Sequence, residues 1–410
     1  MNVQINLDRL MGRIFALGEI GALHGGGVKR LALSDEDRAG RDLVIQWMEE
    51  AGLQITTDVI GNTWGVRAGS DDAAPVIIGS HIDTVATGGL YDGALGVLAG
   101  LEIIQALNDA GAVTRLPVGI AFFTNEEGAR FAPDMMGSGV AQGALDLHEM
   151  LSVQGIDGKT VGEELLRIGY AGEASVLALR PHCFLELHIE QGPVLEAESL
   201  AIGAVTGVQG ISWAEYVIEG QSCHAGTTPM VMRHDAGLVA AQIAVEARAI
   251  ANDFGPPQVA TVGMFDVSPG LVNVVPERAV LTVDLRNTCD ETLKKAEERL
   301  NRAAEDFAVA QGCKVQRRSL ARFAPVEFDL GLVGEIESHA KSLGYSVRLM
   351  PSGAGHDAQM FAPNCPTAMV FVPSKDGLSH NINEFTAPEH IAPGVDVLLR
   401  VVLGRAELVS

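Results

Sequence analysis

Four short apolar runs, each leading into a histidine or an acidic residue, constrain this chain more than any other feature. Pro75-Val-Ile-Ile-Gly-Ser80 ends at His81, and Leu116-Pro-Val-Gly-Ile-Ala-Phe-Phe123 ends near Glu126 and Glu127. Cys183-Phe-Leu-Glu-Leu187 ends at His188, and Thr367-Ala-Met-Val-Phe-Val372 precedes His380. Runs of this kind read as buried strands, and helical stretches such as Gly93 to Ala110 lie between them. Buried strands alternating with helices predict an α/β sheet covered on both faces. In such sheets ligands gather beyond the carboxyl ends of the strands, which is where these polar residues fall. Two further helices are expected from Asp8 to Leu17 and from Asp37 to Ala51, the second entered through the capping string Ser34-Asp35-Glu36-Asp37.

The rhythm changes between residues 206 and 325. Strand-like Trp213 to Glu219 leads to helical Asp235 to Asn252, then strand-like Gln258 to Asp266 and Arg278 to Arg286. Helical Glu291 to Gln311 and strand-like Lys314 to Leu320 complete the order β-α-β-β-α-β, that of a ferredoxin-like sandwich. The expected organisation is therefore one domain from residues 1–205 and 326–410, interrupted by an inserted domain at 206–325. A length of 410 residues agrees with more than one core. No sequence repeat or low-complexity tract is present.

Composition excludes several classes of function. Lys and Arg number 29 against 52 Asp and Glu, a formal charge of -23, which repels a polyanion and argues against nucleic acid as a partner. No apolar run approaches the roughly 20 residues that span a bilayer. The start, MNVQINLDRLMGRIF, carries charges where a signal peptide needs an apolar core. The five cysteines are scattered and lack a C-x-x-C pair, which reads as reduced thiols in a cytoplasmic protein.

The densest chemistry is Gly79-Ser-His-Ile-Asp-Thr-Val85 followed by Gly89-Leu-Tyr-Asp-Gly93. His81 and Asp83 lie two apart at a strand end and can face one pocket, and glycines around Asp92 let a carboxylate turn inward. Imidazole with carboxylates suits a divalent first-row metal. Glu126 and Glu127 repel each other as neighbours and are expected to divide their work, one binding metal and the other acting as a base. Taken singly, His188 and His380 read as well as packed or satisfied histidines, and the paired glutamates as a solvated loop. Gly25-Gly-Gly27 is not a phosphate loop, because no P-loop frame surrounds it.

Together the strings H-x-D, G-x-Y-D-G, N-E-E-G, H-I-E-Q-G and L-S-H-N, in this order, resemble the M20-type metallopeptidase superfamily. Glu126-Glu-Gly-Ala-Arg-Phe131, His188-Ile-Glu-Gln-Gly192, His224-Ala-Gly-Thr-Thr-Pro-Met230 and Ser352-Gly-Ala-Gly-His-Asp357 are similar to its N-carbamoyl-L-amino acid hydrolase, allantoate amidohydrolase and β-ureidopropionase branch. The resemblance covers nearly the whole chain. It implies an exopeptidase-like α/β catalytic domain with an inserted ferredoxin-like lid and dimerisation domain, and hence a homodimer.

The resemblance also implies roles. His81, Asp92 and His188 would bind one divalent ion, and Asp92, Glu127 and His380 a second, with Asp92 bridging. The ions, Zn, Mn, Co or Ni, would lie about 3.5–4 Å apart and activate a bridging water whose proton Glu126 takes. Asp83 would accept the other ring N–H of His81. His224 would stabilise the oxyanion, and Arg286 would clamp the substrate carboxylate. Asn273, Gln191 and Gly355 would make further substrate contacts, with His356 and Asp357 structural. The implied reaction is hydrolysis of a linear C–N bond in an N-carbamoyl (ureido) acid such as an N-carbamoyl-L-amino acid or allantoate. An aminoacylase or peptidase of the same superfamily, or a non-catalytic binding relative, are the competing readings.

Overall fold

The computed structural model describes residues 3–409. These residues divide into two compact units, Gly207–Val326 and the remainder of the described chain.

The larger unit is a mixed α/β fold. After helices Leu7–Gly18 and Asp35–Glu50 come its first strands, β1 (Gln54–Thr57), β2 (Thr63–Arg67), β3 (Val76–His81), β4 (Val118–Phe123), β5 (Cys183–Ile189) and β6 (Ile202–Val208). The chain then builds the smaller unit from β7 (Gly210–Glu219), β8 (Cys223–His224), β9 (Val259–Ser268), β10 (Val274–Val275), β11 (Arg278–Asn287) and β12 (Lys314–Phe323). It returns with β13 (Val326–Glu327), β14 (Val347–Ser352) and β15 (Thr367–Val372).

The large sheet has the order β1-β2-β4-β3-β5-β15-β6-β13, with β14 paired to β6. Its centre, β4-β3-β5-β15, is parallel throughout. Every residue of these four strands is buried, as expected for strands covered on both faces. The four apolar runs of the sequence are thus adjacent parallel strands, and their carboxyl ends open on one edge of the sheet. Helix Ala94–Asp109 packs on β3, β4 and β5, and its N-cap is Gly93, directly after Asp92.

Helix boundaries differ slightly from expectation where caps decide them. The helix expected from Asp37 runs Asp35–Glu50, because Ser34 Oγ accepts the Asp37 N–H and so places all three acidic residues in the first turn.

The smaller unit is a four-stranded antiparallel sheet of order β12-β7-β11-β9 with helices Ala236–Phe254 and Asp290–Ala310. Central β7 alternates between buried and more exposed positions, the pattern of a sheet with one covered face. Its core joins Tyr216, Ile218, Leu281 and Leu285 of the sheet to Val239, Ile243, Leu293 and Leu300 of the helices. Among the described residues no helix is long and apolar enough to cross a membrane.

Candidate active site

Beyond the carboxyl ends of the parallel strands lies a cavity of about 110 Å³ lined by His81, Asp92, Glu126, Glu127, His188, Gln191, Gly355, His380 and their neighbours. His81 ends β3, Glu126 and Glu127 follow β4, and His188 lies on β5. Asp92 precedes the long helix, and His380 lies in the loop after β15.

Asp92 is the centre of the arrangement. Its Oδ1 lies 3.2 Å from His188 Nε2 and 3.5 Å from His81 Nε2. Its Oδ2 lies 3.6 Å from His380 Nε2, which in turn is 3.1 Å from Glu127 Oε2. One carboxylate therefore presents an oxygen to each of two clusters, His81–Asp92–His188 and Asp92–Glu127–His380, each able to offer three converging ligand atoms. Glu126 belongs to neither cluster; its Oε2 lies 3.3 Å from His81 Nε2.

The histidines are held by main-chain oxygens. The Nδ1 of His188 faces the Ile189 carbonyl at 2.9 Å and that of His81 faces the Asp83 carbonyl at 2.9 Å. A carbonyl only accepts, so each ring donates its Nδ1 proton there and turns Nε2 toward Asp92. Asp83 therefore accepts the ring N–H of His81 with its main-chain oxygen rather than its carboxylate. Its carboxylate does not orient His81 but accepts the backbone N–H groups of Glu126 and Glu127, at 3.2 and 3.3 Å. The chain turns so tightly after His81 that the main-chain oxygen of Asp83 reaches the ring while its side chain points to the β4 loop. The His81 ring also requires Gly93: a Cβ at that position, φ +64°, would lie 2.4 Å from the imidazole.

Electrostatics fit a cation here. Asp92, Glu126 and Glu127 converge, and the residues lining the cavity include no Lys or Arg. Burial, opposed by His81, pushes Glu126 well above the usual carboxylate range. Burial likewise raises Asp83 to about 6. Burial opposes ionisation of Asp92, but His188 and His81 outweigh it and hold this carboxyl well below its ordinary value. The hydrogen bond to Glu127 raises His380 to about 9. Carboxylates and imidazoles gathered in a buried place without a fixed cation are a donor set for a divalent metal.

Three residues that the sequence reading passed over complete the setting. Ser379 Oγ donates to Asp92 Oδ2 at 2.6 Å. Buried Glu384 accepts the backbone N–H groups of Tyr91 and Asp92, both at 3.1 Å. Glu186, equally buried, accepts from Ser80 Oγ at 2.7 Å and from the Ala358 N–H at 2.9 Å. Ser379 stands next to His380, and Glu186 is the one charge inside the apolar run Cys183–Leu187, two before His188, so both had a signal in the sequence; nothing in spacing marks Glu384. His356 packs edge-on against His188 at 4.6 Å and bonds Ser352 Oγ at 2.8 Å, and Asp357 is buried beside it at the start of a short helix.

Gln191 has a left-handed backbone, φ +56°, and donates its side-chain N–H to Asp92 Oδ2 at 2.8 Å. Its Oε1 is buried and meets no hydrogen-bond partner among the described residues. The remaining expected residues belong to the smaller unit. His224 on β8 is paired in register with Val274, next to Asn273 on the facing loop. The Gly226 and Thr227 N–H groups donate to His224 Nδ1 at 3.0 and 3.3 Å, so the neutral ring carries its proton on exposed Nε2. The adjacent helix is capped by Asp235, not by this histidine. Arg286 is half-buried, pairs with Asp284 at 2.8 Å on the same strand face, and lies over Trp213 at 5.9 Å.

Residues 77–404 match the model of peptidase family M20/M25/M40. The chain is 42% identical to the N-carbamoyl-L-amino-acid amidohydrolase of Rhizobium meliloti, covering 100% of this chain and 99% of that one. It is 32% identical to the ureidoglycolate hydrolase of Arabidopsis thaliana over 97% of this chain and 86% of that one. The crystal structure of an amidase of the hydantoinase/carbamoylase family from Burkholderia multivorans superposes with a TM-score of 0.96 at 46% identity, covering 98% of both chains. These likenesses run the length of the chain, including the strands, turns and loops that build the cavity, and the chain belongs to peptidase family M20/M25/M40, within its hydantoinase/carbamoylase branch.

Proposed function

We propose that this chain is a metal-dependent hydrolase of a linear carbon–nitrogen bond in an N-carbamoyl acid, an N-carbamoyl-L-amino acid in the first instance. Members of the family are metal-dependent, and the chain offers candidate metal-binding residues. The observation that carries the reading is the division of Asp92 between two His-carboxylate clusters, with a buried glutamate beside them that belongs to neither. His81, Asp92 and His188 would hold one ion and Asp92, Glu127 and His380 another. Such ions acidify water and polarise the scissile carbonyl.

The chain's own groups do the rest. Glu126, raised by burial, is a strong enough base to take a proton from the attacking water and pass it to the leaving nitrogen. Gln191 favours a ureido over an acyl substrate. Asp92 accepts its N–H and so fixes the amide's orientation, which leaves Oε1 as a buried acceptor for a carbamoyl N–H. An acetyl group has no such donor. Arg286 would take the substrate carboxylate, Asn273 and the Gly355 backbone would contact its polar atoms, and Nε2–H of His224 would donate to the oxyanion. Water and an N-carbamoyl amino acid would yield the amino acid, ammonia and carbon dioxide.

The smaller unit would serve as lid and dimerisation domain. Its edge strand β9 exposes Met264, Phe265 and Val267, an apolar edge of the kind that pairs with a second copy. The test of function is ammonia release from N-carbamoyl amino acids measured beside acetate release from N-acetyl amino acids, using metal-reconstituted protein. Preference for the carbamoyl series by tenfold or more in kcat/KM is expected (about 1.4 kcal/mol). Preference for the acetyl series would make the chain an aminoacylase, and ligand binding without either product would make it a binding relative.

A further inference from the structure

We propose that Gly27 is a positioning residue for the Asp92–Glu127–His380 cluster: the glycine hairpin of residues 24–28 sets how closely the loop carrying His380 approaches the loop carrying Asp92. The proposal rests on the metal reading of that cluster.

The hairpin is closed by the Leu23 N–H on the Gly27 carbonyl at 3.0 Å. Val28 and Gly88 then exchange two backbone hydrogen bonds, 2.9 and 3.0 Å, which fasten the hairpin to the segment that leads to Asp92. Arg30 fastens the same segment to the turn after His81, through its N–H on Thr84 Oγ at 2.8 Å and its Nε on the Ile82 carbonyl at 2.7 Å. On its other side Gly27 meets the His380 loop. A Cβ at Gly27 would lie 2.6 Å from the Gly88 oxygen, 2.7 Å from Ile382 Cα and 2.9 Å from Ile382 Cβ. Two are main-chain atoms, so no side chain can enter without moving a loop apart.

The two loops are also tied by Glu384, which accepts the N–H groups of Tyr91 and Asp92, by Ser379 Oγ on Asp92 Oδ2 at 2.6 Å, and by Thr87 Oγ1 on the His380 carbonyl at 3.5 Å. Among these ties lies the 3.6 Å gap from Asp92 Oδ2 to His380 Nε2. Gly88 is bonded on both sides to Val28, whereas His380 is 50% exposed at its side chain and sits at φ +54°, a conformation that only its surroundings sustain. A group forced in at Gly27 would therefore displace His380 first.

The glycine run supplies its own graded controls. All three have left-handed φ values, +96°, +108° and +74°. A Cβ at Gly25 meets nothing within 4 Å, one at Gly26 comes 3.3 Å from the Ile382 oxygen, and one at Gly27 collides as described. Alanine at each position thus brings a similar backbone cost but a rising intrusion on the His380 loop.

The experiment titrates Co2+ into metal-free Gly25→Ala, Gly26→Ala, Gly27→Ala, His380→Ala and the parent protein, followed by calorimetry and by the visible absorption of bound cobalt. His380→Ala identifies the binding event that needs His380. That event should weaken about 10–100-fold in Gly27→Ala, less in Gly26→Ala and not in Gly25→Ala, with a changed cobalt spectrum. Should Gly27→Ala fail to fold, Gly26→Ala against Gly25→Ala decides the question. Equal affinities in the three alanine variants, with His380→Ala still defective, would overturn the role of Gly27 and leave the metal reading intact. Parent-like binding by His380→Ala would overturn the metal reading, and this proposal with it.

Discussion

His81 gives its Nδ1 proton to the main-chain oxygen of Asp83 at 2.9 Å, while the Asp83 carboxylate turns away to accept the N–H groups of Glu126 and Glu127. One residue thereby orients the imidazole with its backbone and the two glutamates with its side chain.

Asp83→Asn should separate these tasks. The amide has one accepting oxygen, so one of the two N–H groups loses its partner, at about 1–3 kcal/mol. Affinity for metal at the Glu127 cluster should fall about tenfold, while binding that depends on His81 and His188 stays near parental, because the Asp83 carbonyl is untouched. Metal titrations of Asp83→Asn beside His81→Ala read the difference; loss of the His81-dependent event in Asp83→Asn would contradict it.

Glu126→Gln should lower kcat by about 10²–10⁴ with metal content near parental, whereas Glu127→Gln should lose metal. The basis is that Glu127 contacts His380 within a ligand cluster and Glu126 lies outside both. Metal analysis of the two purified variants checks this, and the opposite pattern would show that the two roles are exchanged.

Arg286→Ala should raise KM for carboxylate-bearing substrates about tenfold or more, with a smaller change in kcat, since a charge-assisted contact is formed in the ground state. The pairing of Arg286 with Asp284 adds a second expectation. Asp284→Asn removes a competitor for the guanidinium and should lower KM. Unchanged steady-state kinetics in both variants would place the carboxylate elsewhere.

Stability should respond to pH with opposite consequences for metal-free and metal-loaded protein. His380 is raised to about 9 and Asp357 and Glu384, by burial, to about 8 and 7. Each binds its proton more tightly folded than unfolded, so its contribution is complete below the unfolded pKa and is lost as pH rises through the folded value. For His380 that window runs from about 6.5 to 9. Metal must displace this proton, so it binds better as pH rises. Tm of the metal-free protein should fall from pH 6.5 to 9, and added Zn2+ or Mn2+ should raise Tm more at pH 9. A larger metal shift at pH 6.5 would refute this.

His224 is proposed to serve the metal site of a second copy. Mixed dimers of His224→Ala and Glu126→Gln, each inactive alone, should then recover up to about half the activity of one dimer, since one site regains both groups. Subunit exchange is verified by tagged co-purification. Exchange without recovered activity would leave His224 acting within its own chain or not at all.

The amino-acid order by itself determined the parallel core and the chemical types around the cavity. Strands covered on both faces are near-continuous apolar runs, against which the histidines and acidic residues at their carboxyl ends stand out, so β3, β4, β5 and β15 and the residues beyond them were readable. Only tertiary structure decided who holds whom. Glu384 meets the N–H of Asp92 across 292 positions and Glu186 meets Ser80 across 106, distances at which no spacing rule operates. The same is true of Asp83: whether its carbonyl or its carboxylate faces His81 depends on how one peptide unit turns, and residue identity is silent on that. A hydrogen bond is specified by angle and by about an ångström of distance, which the packed fold fixes after sequence patterning has chosen the fold.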